Sequence, residues 1–135
     1  MKVAFWIVGV LLALIAAVFG LQLLASETGE VVVLHARDAG GEEVATRLWV
    51  ADHAGSPYLR VGADGSGWYA RLTANPAVRV TRAGATRSFL AVAEPALSDE
   101  INSLMRAKYG WRDELMAMLV GGRDGAIPIR LQALP

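Results

Sequence analysis

From Val3 to Leu24 the chain runs for 22 residues without a charge, and Gln22 is its only strongly polar side chain. No other stretch constrains the fold as much. As a helix rising about 1.5 Å per residue, the run spans roughly 33 Å, enough to cross a hydrocarbon core of about 30 Å. A cleaved signal peptide is the competing reading, but its apolar region is shorter, about 7–15 residues. Leu23 also sits poorly where a small residue is wanted before a cut. The run predicts an uncleaved anchor over residues 1–25.

Removing that block normalises the rest. Residues 1–25 hold 21 apolar residues, and the remainder of the 135 is about 47% apolar, as in an ordinary soluble domain. Disorder, a coiled coil and a disulfide-stapled mini-protein are thereby excluded. The chain has no cysteine, which excludes a zinc ribbon, a thiol redox pair and a lipoprotein anchor. Formal net charge is zero, against the basic excess expected of a nucleic-acid-binding domain. Lys2 and the amino terminus precede the run, and Glu27 and Glu30 follow it. The positive-inside rule then places the N-terminus in the cytoplasm and the domain outside.

Beyond a polar linker at 26–30, short β-patterned runs alternate with turn signals. Strands are expected at Val31–Ala36, Val44–Val50, Tyr58–Val61, Val78–Arg82, Thr86–Ala93 and Ile127–Leu131. Turns are expected at Asp38–Gly41, Asp52–Ser56 and Ala83-Gly84. Pro128 cannot donate a ladder hydrogen bond, which predicts an edge strand or a bulge for the last of these. Helical patterning occurs at Trp68–Ala74, stopped by Asn75-Pro76. A second helix is expected after Ser98 as N-cap, with Ile101, Leu104, Met105, Lys108 and Tyr109 on one face until Gly110. A third runs from Trp111 to about Val120 with Leu115, Met118 and Leu119 on one face, before a loop at 121–125. Six short strands with a late helix pair suggest a small barrel.

Few residues carry chemistry. His35 and His53 have no ligand spacing, so no metal site is expected. Metalloprotease, hydrolase-elbow and P-loop motifs are absent, and no catalytic residue is assigned. Gly62-Ala63-Asp64-Gly65-Ser66-Gly67 opens directly onto the Trp68 helix. Free N–H groups at a helix start among glycines make an anion cradle, although Asp64 opposes it and a plain flexible connection fits the same composition. The domain holds eleven arginines and one lysine, Lys108; arginine suits bidentate contact with carboxylate or phosphate. Trp68, Tyr69, Tyr109 and Trp111 flank helix ends, where aromatics plug a barrel or stack on a flat ligand.

The run Trp68-Tyr69-Ala70-Arg71-Leu72-Thr73-Ala74-Asn75-Pro76-Ala77-Val78-Arg79-Val80 resembles the deazaflavin-dependent nitroreductase family. That family belongs to the split β-barrel flavin and deazaflavin oxidoreductases, which are pyridoxamine-phosphate oxidase-like. Its motif is W-Y-x-N-L-x-A-N-P-x-V-x-V, with Arg71 here in the asparagine position. Leu48-Trp49, Lys108-Tyr109-Gly110-Trp111 and Ile127-Pro128-Ile129 are similar too, so the resemblance covers roughly residues 31–132.

The resemblance implies a split β-barrel. Joined to the patterns above, it gives as the expected fold a mainly β (α+β) six-stranded split β-barrel over 31–135, with a short helix and a late helix pair, preceded by the one transmembrane helix read from the apolar run. It implies hydride transfer between a deazaflavin, coenzyme F-420 (8-hydroxy-5-deazaflavin), or FMN and a quinone-like or nitro acceptor near the bilayer. By position, Arg60, Gly65, Ser66, Gly67, Trp68 and Tyr69 are the expected cofactor residues, and Lys108, Tyr109 and Trp111 the expected acceptor residues. Split-barrel relatives are often dimers, which makes a homodimer an expected partner state beside the membrane. The family's G-R-K-S-G is replaced by Arg37-Asp38-Ala39-Gly40-Gly41, and its following arginine falls near Val44. That loss of positive charge leaves a second reading open, an anchored split-barrel module that binds a ligand or partner subunit without turnover.

Overall fold

The computed structural model describes residues 1–27, 29–62, 67–120 and 125–135. Helix α1, Lys2–Glu27, contains all of the apolar run. Its stretch Lys2–Leu21 is long and apolar enough to cross a membrane, and none of it is buried in the protein.

The barrel follows as β1 (Val31–Arg37), β2 (Glu43–Trp49), β3 (Ala51–His53), β4 (Ser56–Val61), α2 (Gly67–Ala74), β5 (Ala77–Arg82) and β6 (Ala85–Ala93). A single 3-10 turn at Pro95–Leu97 leads to α3 (Ser98–Tyr109), α4 (Trp111–Val120) and β7 (Ile127–Ala133). The seven strands form one sheet in the order β2-β1-β5-β6-β7-β4-β3, with every pairing antiparallel. The strands at the two margins are consecutive in sequence, separated only by Val50. One bent strand therefore closes the curled sheet on itself, which is the split β-barrel expected, with the second strand divided in two.

Alternation builds the interior. Val32, Leu34, Val50, Leu59, Val61, Val78, Val80, Ile129 and Leu131 fill the barrel, and Trp68 and Leu72 of α2 pack into the same core. A second cluster lies outside the sheet, where Ile101, Met105 and Tyr109 of α3 pack on Ala51 and Tyr58. These three are spaced i, i+4, i+8, the face that the helical pattern predicts. Two hairpins turn through Ala54-Gly55 and Ala83-Gly84, all four with positive φ, as two-residue turns that match the strand twist require.

Four expectations need correction. Asp52 and His53 belong to strand β3, so the turn narrows to Ala54-Gly55. Pro128 lies in a central strand, because β7 sits between β6 and β4. Its carbonyl accepts from Glu94 N at 2.9 Å, just beyond the last β6 pair, Ala93 with Ile129. The missing N–H faces that same frayed end, so no ladder bond is lost in the middle of the sheet.

Ser98 is not an N-cap. Leu97 takes that place, and the 3-10 turn carries the chain into the helix. The Ser98 hydroxyl is buried without a hydrogen-bond partner among the described residues. On α4 the residue turned fully inward is Asp113, whereas Met118 is 82% exposed. Of the apolar face expected there, Leu115 is half-buried and Met118 exposed, while the Leu119 side chain lies outside the described residues.

Candidate functional site

Of the expected cofactor residues, Gly67, Trp68 and Tyr69 on α2 sit at the opposite end of the barrel from the Tyr109 hydroxyl, whereas Arg60 is bound to Asp113, two residues beyond Trp111. α2 joins the end of β4 to the start of β5, at the end where β1 finishes, since His35 pairs with Arg79. Tyr109 lies at the end where β1 begins, its hydroxyl donating to Glu30 O at 2.6 Å. Along the seven residues of β1 this is a separation of about 20 Å.

At the α2 end, Gly67 opens the helix, Trp68 is buried in the core and Tyr69 packs partly against it. Gly65 and Ser66 lie outside the described residues, as does Asp64. Arg71, one helical turn beyond Gly67, lies beside it, a residue that the family motif does not flag. Helical side chains lean toward the N-terminus, so its guanidinium lies along the first turn. A Cβ on Gly67 would stand 3.3 Å from Arg71 Nη1. Nη2 reaches Thr46 Oγ1 at a long 3.4 Å. Nε is buried with no hydrogen-bond partner among the described residues.

Arg71 stands in the last turn of this short helix, where a cation suits the dipole, and its guanidinium reaches back to the first residue, where the free N–H groups also favour an anion. Gly67, the first-turn N–H groups and Arg71 thus fit the phosphate of a flavin-type cofactor. The sequence signal was the substitution itself, arginine where the motif has asparagine.

The expected acceptor residues are mostly occupied by the chain. Tyr109 is 1% exposed and stacks on Trp49 with centroids 4.3 Å apart. Its hydroxyl accepts from Val50 N at 3.0 Å, and burial raises its pKa. Lys108 Nζ donates to Val50 O at 2.8 Å and to Glu30 Oε1 at 2.6 Å. Both residues satisfy the backbone of Val50 at the bend where strand pairing stops. Trp111 is the open member, 48% exposed, under the Arg112 guanidinium at 4.9 Å.

Arg60 is also engaged. It crosses from β4 to α4 to donate to Asp113 Oδ1 at 2.6 Å and to Asn102 Oδ1 on α3 at 3.2 Å. Among the described residues no group of three His, Asp or Glu side chains could hold a metal ion.

A third feature was not foreseen. Arg82 donates to both carboxylate oxygens of Glu30, at 2.9 and 3.0 Å, and to both of Asp52, at 2.8 and 2.7 Å. Arg82, and for Glu30 also Lys108, holds these carboxyls below their ordinary pKa. Beside this cluster a cleft of about 550 Å³ opens between the β3–β4 and β5–β6 hairpins. It is the barrel's open mouth, at the far end from α2.

The fold defines the class, an α+β split barrel, here with the Arg71 guanidinium beside the first residue of α2. Solved structures agree on the fold. Rv2991, a conserved hypothetical protein from Mycobacterium tuberculosis, superposes with a TM-score of 0.63 at 15% identity, over 85% of this chain and 78% of its own. A structure described as an F420 reductase gives 0.58 at 12% identity, over 84% and 93%. HutZ, the heme storage protein of Vibrio cholerae, gives 0.57 at 16%, over 82% and 86%. No family model matches the sequence, and no curated protein matches it. At these identities the likeness establishes the fold alone, a split barrel, which is the architecture that the Trp68–Val80 resemblance anticipates.

Proposed function

We propose that the chain is a flavin- or deazaflavin-dependent reductase whose barrel, residues 31–135, is tethered to a membrane by residues 1–25 through a linker at 26–30. The buried, unpartnered Nε of Arg71 beside Gly67 carries the reading. The likeness to an F420 reductase supports it.

When bound, coenzyme F-420 or FMN supplies hydride transfer; the protein contributes binding, orientation and exclusion of water. Gly67 and Arg71 hold the phosphate, with Gly65 and Ser66 from the preceding loop. Trp68 and Tyr69 fix the helix that carries this corner, and Arg60 braces the strand leading to it. Lys108, Tyr109 and Trp111 form the acceptor corner. A homodimer would let one copy's acceptor corner approach the other's α2. The acceptor is a quinone-like or nitro compound, delivered at the bilayer surface. The N-terminus is cytoplasmic and the barrel external.

Full-length protein in non-ionic detergent, titrated with F-420 and with FMN, tests this directly. Binding of one of them near unit stoichiometry is expected, and Arg71→Gln should weaken it about tenfold, the loss of one charge-assisted contact. Binding of neither cofactor would remove the reading.

The engagement of Arg60, Lys108 and Tyr109 within the chain favours a second reading, a non-catalytic anchored barrel binding a ligand or partner subunit. A cofactor that binds but is never oxidised or reduced by quinone or nitro acceptors would select it.

A further inference from the structure

The cleft at the open mouth has a chemistry distinct from the α2 corner. Behind it lie the packed core residues Val32, Val50, Val80 and Leu131, each no more than 3% exposed, and its accessible apolar wall is Pro57, Ala85, Phe89 and Ala133. Its volume, about 550 Å³, lies in the roughly 300–1,000 Å³ range of small-molecule sites.

Two of its charged lining residues neutralise each other, since Arg82 is bound by Asp52 and Glu30. The third is different. Arg87 pairs across the ladder with Val80, as Phe89 does with Val78, so it belongs to the inward row of β6. In that row, Ala85, Arg87, Phe89, Ala91 and Ala93, it is the one charged residue. It lines the cleft and makes no hydrogen bond or ion pair among the described residues.

Position supplies the source of a ligand. Glu30, held by Arg82 on the cleft wall, is three residues beyond the last residue of α1. If α1 spans a bilayer, the mouth opens beside the point where the chain leaves it. This step rests on the tether proposed above and is independent of the cofactor corner at the other end.

We propose that this cleft binds a single-chain anionic lipid from the bilayer, with its hydrocarbon chain against Pro57, Ala85, Phe89 and Ala133 and its anionic head on Arg87. Arginine is the suited cation, because its fork meets carboxylate or phosphate with two parallel donors.

The test uses full-length protein in non-ionic detergent and hexadecyl phosphate as the probe. Hexadecanol and inorganic phosphate serve as the neutral-head and chain-free controls. Binding is read by displacement of a fluorescent dansyl-alkyl alcohol, whose neutral head makes no ion pair with Arg87. Hexadecyl phosphate should displace it about tenfold more strongly than either control, and Arg87→Gln should remove that advantage while leaving hexadecanol unchanged. Ala85→Trp, which fills the mouth, should abolish displacement by all three.

Equal binding of hexadecanol, equal binding of inorganic phosphate, or an unaltered Arg87→Gln variant would each overturn the proposal. Carbonate extraction of membranes from expressing cells separates the two claims. Extraction of the chain removes the tether and the lipid source with it, whereas a retained chain that ignores hexadecyl phosphate removes the cleft alone.

Discussion

Arg60 Nη2 donates to Asp113 Oδ1 across 2.6 Å, with side chains only 5% and 2% exposed. The pair joins the outer face of β4 to α4, and Asn102 adds a contact from α3. Its desolvation is severe, so its value lies in being complete.

Removing one partner strands the other charge in the interior. Arg60→Met and Asp113→Leu should each destabilise the fold by about 3–5 kcal/mol, and the double variant should recover much of that. Thermal melts followed by circular dichroism measure it. Additive losses would mean that the two charges do not depend on each other.

Gly29, with φ +80°, brings its Cα against the Tyr109 ring; a Cβ there would lie 3.1 Å from Tyr109 Cδ1. Gly29→Ala meets both a left-handed backbone and a blocked space, and should cost about 1–3 kcal/mol. Tyr109→Phe should cost a similar amount, since Val50 N loses its acceptor and Glu30 O its donor. The same melts read both; unchanged midpoints would contradict the packing of the junction.

Acid should weaken the barrel in a defined window. Glu30 and Asp52 are lowered by their hydrogen bonds to Arg82, and Glu94 by Arg130 and then Tyr58. A carboxylate with a depressed folded pKa contributes its full stability above the unfolded value and loses it as pH falls through the folded one. Stability should hold above the ordinary glutamate value of 4.5 and fall below it. Arg82→Met should make that fall shallower. Urea midpoints across the acid range provide the comparison.

Ser98 offers a sign test. An N-cap serine replaced by alanine loses about 1 kcal/mol, whereas removal of a buried hydroxyl with no partner is neutral or stabilising. The structure places Ser98 inside α3 with its hydroxyl unsatisfied, so Ser98→Ala should leave the melting point unchanged or raise it. A clear drop would restore the cap.

The side of the membrane can be read from a chain without native cysteine. Thr86→Cys places one thiol at an exposed strand position. With the barrel external, an impermeant maleimide should label it in intact cells. Labelling only after lysis would reverse the orientation.

What the sequence revealed and what it hid follow one physical line. Strand alternation, the Ile101–Met105–Tyr109 face and the short helix at Trp68 are local patterns, and each is present in the structure. Val50 looked like the end of one strand, but it is where that strand changes partners; nothing within five residues signals this. Arg60 and Asp113 are 53 positions apart, and Glu30 and Arg82 are 52 apart, so neither pairing has a sequence period. Pro128 misled because an absent donor excludes a residue only where a neighbour requires it. For the site, the aromatics at Lys108–Trp111 pointed to a ligand, yet Tyr109 is committed to holding the bend. Arg71 was visible only as a departure from a motif.

The strand order has a temporal meaning as well. β7 is the most C-terminal of the seven strands, yet it lies between β6 and β4. Until residues 127–133 leave the ribosome, β4 and β6 face each other across a vacant lane. Closure of the barrel therefore waits for synthesis of its last strand. With contacts this remote in sequence, closure is also slow. An anchored nascent chain would hold two unpaired strand edges beside the bilayer throughout that wait, a vulnerable interval for a protein of this design.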